Sequence, residues 1–381
     1  PYYEEEVKSI LKAYQDGGIR VAFALGIRNQ NHLVYQDDQK FLESLPSSLA
    51  ARTRKYLTNT RVSEEEYFAL FARLNEEYGA NTISKIRILH GPAAPQWCSG
   101  ELLIRIKHSA DKYHTGIHAH MLETIYQKIY ASNRFGKTFV EHLNEIGFLG
   151  PKVSFAHCVW LTEDDIELLA RNGTSVCHNP SSNLRLKSGI APVNRMLEKK
   201  VNVALGTDGA AINDDESILQ EIRLCANLHR TPGLGKFCPT PGQLLKMVTV
   251  NGAKVTLFSD QIGTLEKGKR ADIILVNLKE ITEPYLDPEL SIVNAFIGRG
   301  KTSDVDIVMI DGEIVLRNKK HTRINKEEIV TRLKESFSRD AKPADMERRR
   351  LAQDLYPHVI EFYQNWKDSE IKPHYIYNSV I

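Results

Sequence analysis

Residues 116–124 read GIHAHMLET, residues 155–158 FAHC, residues 176–180 VCHNP and residues 204–209 ALGTDG. In each, a short apolar run ends in a titratable side chain: His118, His120 and Glu123, then His157, His178 and Asp208. Apolar runs of this length read as strands, and the stretches between them carry helical patterns. The clearest helix lies over residues 162–173, TEDDIELLARNG. Thr162 stands at the cap, Asp165 at the position that bonds back, and Gly173 at the left-handed stop.

Working outward, residues 20–25 (RVAFAL), 85–90, 116–122, 152–159, 174–178 and 202–206 are predicted strands. Strand and helix alternating at this pitch argue for parallel βαβ units, closed into a (β/α)₈ barrel or laid out as a doubly wound sheet. Neither GxGxxG nor GxxxxGK[ST] occurs, which weakens the nucleotide-sheet alternative. In a (β/α)₈ barrel the C-terminal strand ends form the active-site face, so the four polar ends would converge on one mouth. Imidazole nitrogen and carboxylate oxygen are ligands suited to Zn²⁺ or Fe²⁺.

After residue 262 the texture changes. Residues 262–278, IGTLEKGKRADIILVNL, read as strand, glycine turn and strand. Residues 306–316, DIVMIDGEIVL, read as a hairpin about Asp311-Gly312. From residue 325 the pattern is helical, and Asn213, Asp214 and Asp215 read as a cap for the helix that follows residue 209.

The chain has 381 residues, 42% hydrophobic and 26% charged, with a net charge of +2. That balance suits a large globular core and gives no strong pull toward nucleic acid or a membrane. Five scattered cysteines with no CxxC pair argue against a disulfide framework and fit a reducing, cytoplasmic compartment. No apolar run reaches membrane-spanning length. The first residues, PYYEEE, are acidic and no signal peptide, and they read like the middle of a longer chain.

The words HxHxxET, AHC, HNPSSNLRLKSGIAPV (residues 178–193) and LGTDG resemble, in combination, the amidohydrolase superfamily. The branch is that of the cytosine, guanine, S-adenosylhomocysteine and aminotriazine deaminases and their triazine chlorohydrolase relatives. Residues 263–276, GTLEKGKRADIILV, are similar to the passage into that branch's β-sandwich domain, and the likeness covers residues 17–320. It implies an α/β fold, a (β/α)₈ TIM-type barrel lacking its first strand over residues 1–262. A small β-sandwich appendage would follow over 263–322, then a helical tail over 323–381.

The resemblance also implies roles. His120 is similar to a fifth-strand metal ligand and Glu123 to an acid/base serving a ring nitrogen. His157 resembles the sixth-strand histidine that orients the nucleophile, and Asp208 the eighth-strand carboxylate that binds metal and takes the water's proton. One divalent ion, zinc first and iron second, is implied. The expected reaction is hydrolytic deamination of a pyrimidine, purine or aminotriazine with loss of ammonia. The alternatives are hydrolytic dechlorination of a chloro-triazine and a metal-free, non-catalytic barrel.

Two departures stand out. The family's His-x-His pair of the first barrel strand has no counterpart upstream of His118. In residues 89–99, LHGPAAPQWCS, Ala93 stands where many relatives place a substrate-contacting His, which makes nucleoside substrates less expected. Gln96 and Trp97 then offer a hydrogen bond and a stacking face to a flat ring, with Arg28, His118 and His178 as further substrate contacts. The aromatic tail (Tyr356, Phe362, Tyr363, Trp366, Tyr375, Tyr377) is expected to dock on a second copy, giving a homo-oligomer, or on its own barrel.

Overall fold

The computed structural model describes residues 4–60, 62–79, 84–210, 212–213, 215–231, 237–338, 343–364 and 366. Six strands form one parallel sheet: β1 (Val21–Ile27), β2 (Ile86–Pro92), β3 (Ile117–Met121), β4 (Val153–His157), β5 (Ser175–His178) and β6 (Val203–Leu205). Their spatial order equals their chain order. Consecutive staves are the arrangement of a (β/α) barrel, whereas a doubly wound sheet reverses its order at a switch point.

Where one missing strand was expected, the described residues lack two of the eight that close such a barrel. No pairing among them joins β6 to β1.

Alternation along the strands separates two faces. Ile117, Ala119 and Met121 of β3 are buried outward beneath the helices, while His118 and His120 face inward and are half-buried. The register sets His118 beside Ser154, His120 beside Ala156, and Ala156 beside Cys177. The main core lies between the sheet's outer face and the helices, around Phe71, Leu102, Ile106, Phe139, Phe148 and Phe155.

The Glu163–Asn172 helix begins at Thr162, which accepts from the Asp165 N–H while Asp165 bonds back. It ends at Gly173 with φ 67°. Sequence chemistry alone set both ends.

The second sheet is antiparallel: β7 (Ile273–Val276), β8 (Val305–Ile310), β9 (Glu313–Arg317) and β10 (Lys320–His321), in the order β10-β9-β8-β7. Asp311 and Gly312 both have positive φ, 55° and 83°, as a tight hairpin turn requires. Among the described residues the appendage is one four-stranded antiparallel sheet. One expectation needs correction. Residues 262–272 form turns, because the polar EKGKR run has no apolar alternation to pair.

A charged clamp joins the two sheets. Arg20, just before β1, donates through Nε and Nη2 to the two carboxylate oxygens of Asp272 at 2.7 and 2.9 Å. The Arg20 side chain is 4% exposed and packs its guanidinium 5.1 Å from the Phe258 ring centre.

The Pro343–Gln364 helix docks on its own chain. Phe362 meets Phe41, and the Tyr363 hydroxyl accepts from the Tyr35 backbone N–H at 2.9 Å. Tyr375 and Tyr377 lie outside the described residues. No described helix is long and apolar enough to cross a membrane.

Candidate active site

Four groups converge at the C-terminal ends of β3, β4 and β6. His120 ends its strand with Nδ1 2.6 Å from the Ala93 carbonyl oxygen. That contact makes Nδ1 the protonated nitrogen and leaves Nε2 with a free lone pair.

His157 is held likewise, Nδ1 2.9 Å from the Asn183 Oδ1. Strict alternation from Ser154 and Ala156 would turn His157 outward. Its φ of 71° swings it back. Its Nε2 then stands 3.9 Å from the Glu123 Oε2 and 3.8 Å from the Asp208 Oδ2. Both separations exceed hydrogen-bond length, so the three groups surround a common space rather than bonding to one another. The His120 and His157 rings lie 5.4 Å apart and nearly parallel.

Asp208 also has a left-handed backbone, φ 65°. The Ser182 hydroxyl donates to its Oδ2 at 2.6 Å and the Gly209 N–H to its Oδ1 at 2.7 Å. Glu123 follows Leu122, again at positive φ. Its N–H donates to the Gln127 Oε1 at 2.8 Å, and the Ser188 hydroxyl reaches its Oε1 at 3.4 Å. Non-glycine residues in this backbone region cluster at functional sites.

His118 sits one layer deeper, Nδ1 2.8 Å from the Ser154 hydroxyl. Burial, with His120 and His157 nearby, lowers its pKa to about 4, so it is neutral at pH 7.

The other expected contacts divide. Gln96 is fully buried in the Pro95–Trp97 turn. Trp97 is half-buried, with Tyr35 edge-on at 6.0 Å and the exposed Arg28 guanidinium 5.9 Å above it. These three form a second group beside the ends of β1 and β2.

Tyr35 links it to the first group, and sequence reasoning missed it. Burial pushes its hydroxyl up, against the pull of the Gln127, Thr124 and Gln96 side chains, and the charge of Glu123 pushes it further. A single tyrosine in the polar stretch NQNHLVYQDD carries no periodic signal.

His178 goes elsewhere. By strand alternation it points outward, is fully buried, and contacts His229 rather than the mouth. The next helix, Ile218–Leu228, is capped by Ser217 and not by Asn213 or Asp215. Asn213 instead accepts from the N–H groups of Asp215 and Glu216. Asp214 is outside the described residues.

A family model described as "Amidohydrolase family" matches residues 45–315. A 5'-deoxyadenosine deaminase of Methanosarcina acetivorans is 40% identical over 246 residues, 65% of this chain and 56% of that protein. A 5-methylthioadenosine/S-adenosylhomocysteine deaminase of Caldanaerobacter subterraneus is 37% identical over 245 residues, 64% of this chain and 56% of that protein. The chain thus spans about half the length of these curated relatives.

Among solved structures, an adenosine deaminase from Xanthomonas campestris with bound zinc superposes at a TM-score of 0.73 and 23% identity. The match covers 93% of this chain and 70% of that one. The atrazine chlorohydrolase of Arthrobacter aurescens, complexed with zinc, gives 0.71 and 22%, covering 87% and 68%. At these identities the likeness speaks to fold.

Proposed function

The chain belongs to the amidohydrolase family, and from that premise we propose that it serves an aminohydrolase, replacing the exocyclic amino group of a purine ring by oxygen and releasing ammonia. The observation that carries the reading is the placement of His157 Nε2 between the carboxylates of Glu123 and Asp208, at 3.9 and 3.8 Å. Hydrolytic deamination needs a base for the attacking water and an acid for the ring nitrogen and the departing amine. Two carboxylates flanking one imidazole supply both.

In this reading Asp208 collects the water's proton, held in aim by Ser182 and the Gly209 N–H. His157, fixed through Asn183, orients the nucleophile. Glu123 gives a proton to the ring nitrogen, then takes the hydroxyl proton of the adduct and hands it to the departing amine, and the proton held on Asp208 restores Glu123. Deamination is preferred to dechlorination because ammonia leaves only when protonated and chloride needs no proton.

The donor set fits a divalent ion: His120 Nε2, its ring held by a hydrogen bond at the other nitrogen, and the Asp208 carboxylate. When bound, zinc, or iron in second place, would lower the pKa of the attacking water to about 7. The zinc of the two solved neighbours supports the first choice.

For the substrate, Ala93 weighs against nucleosides, while the names of the similar relatives point to 5'-modified adenosines. We rank the latter first. Ala93 acts here through its carbonyl, which orients His120. Trp97, Gln96 and Tyr35 are the proposed recognition group for the flat ring. The five unpaired cysteines support a cytoplasmic setting.

The test is ammonia release, with zinc supplied, from 5'-deoxyadenosine, methylthioadenosine, guanine, cytosine and an aminotriazine. Release from the adenosines first is expected. Silence across the panel with metal bound would move the reading to another leaving group. Silence without metal would favour the non-catalytic barrel.

A further inference from the structure

We propose that His178, Cys225 and His229 form a second metal site, separate from the active site, that takes zinc or a similarly thiophilic divalent ion between β5 and the Ile218–Leu228 helix. His178 ends β5 with its ring on the outer face, and Cys225 lies opposite on the helix. Both are fully buried, and His229, at the helix C-cap, is 5% exposed. Cys225 and His229 are four residues apart, so they share one helix face.

The donor atoms of all three lie within 4.8 Å of one another. The His178 and His229 Nε2 atoms are 3.1 Å apart. Two imidazole nitrogens on a tetrahedral zinc, each at about 2.05 Å, stand roughly 3.3 Å apart. The pair therefore already has nearly the spacing of two ligands, and the thiol is the group that must close in.

Metal-free, the two rings share one Nε2 proton, one donating and the other accepting.

The two imidazoles are ready ligands, and the thiol is the group that would have to give up its proton. Burial lowers both histidines, His229 to about 4, so they are neutral as ligands must be. Burial, with Glu221 nearby, pushes the Cys225 thiol up to about 12. On binding, its S–H bond breaks, a sulfur–metal bond forms, and one proton per ion passes to solvent. Three protein ligands leave a fourth position for water. The ion would tie the helix to the strand that leads directly into Asn183, the residue that holds His157.

The active-site donors are nitrogen and oxygen only, which makes the two sites spectroscopically distinct. Protein stripped with a chelator is titrated with Co²⁺ and followed for a sulfur-to-cobalt charge-transfer band in the near ultraviolet. The band is expected in the wild type and in Asp208→Asn, is bleached by zinc, and is lost in Cys225→Ser. Cobalt uptake by the wild type without the band would overturn the proposal, as would a band that survives Cys225→Ser. Should Cys225→Ser not fold, His229→Gln decides: a tenfold or greater loss of cobalt affinity in the banded site is expected, and unchanged affinity refutes it.

Discussion

A histidine that commits one ring nitrogen to a neighbour presents the other in a fixed direction and tautomer. His120 relies on a backbone carbonyl for this, and His157 on a side chain that can be removed. Asn183→Ala should therefore lower kcat by about 10- to 100-fold with little change in fold, the usual cost of losing such a supporting bond. Circular dichroism and steady-state rates on one preparation would check both halves. Asp208→Asn should abolish turnover and weaken metal retention, read by metal content after dialysis. Unchanged kinetics would remove Asp208 from the site. Glu123→Gln should slow ammonia release by about 10² or more. Displacement of chloride from a 6-chloropurine nucleoside should suffer less. An equal loss on both leaving groups would end its role as leaving-group acid.

At the scale of elements, most of the plan was legible because local chemistry and tertiary context agree. All six parallel strands lie where the apolar runs fall, four of them leading into titratable groups, and the Thr162–Gly173 helix was readable at both ends. Thr162→Ala should cost about 1 kcal/mol through loss of the cap. Gly173→Ala should cost about another 1 kcal/mol through the left-handed backbone. The two should add, since the sites share no partner, and thermal unfolding of the single and double variants tests this.

What was not legible has physical reasons. His178 lies in the same kind of strand-end word as His157, and only the backbone reversal at His157 decides which faces the mouth. Tyr35 acquires its place from the Tyr363 hydroxyl, more than 300 residues away in sequence, a contact no local pattern encodes.

For the whole molecule, the Arg20–Asp272 clamp is the firmest polar link between the parallel sheet and the small antiparallel one. Arg20→Met should destabilise the protein by about 3 kcal/mol, because it leaves a largely buried carboxylate without its partner. Burial works to raise the Asp272 pKa, but the hydrogen bonds from Arg20 and the Asp311 N–H, with the charge of Arg20, outweigh it and leave it lowered. A lowered folded-state pKa means stability that is present above the unfolded value and lost as pH falls through the folded one. The wild type should accordingly weaken on acidification by more than Arg20→Met does, as urea midpoints at neutral and acid pH would report.

His157 and Asp208 both occupy backbone that most side chains avoid. Aspartate, asparagine and histidine are the non-glycine residues most at ease there. Cysteine or glutamate would bring comparable chemistry to these positions and pay in backbone strain. The site's room to evolve is thus narrowed by two independent filters, one set by reactivity and one by geometry. Glycine passes only the second.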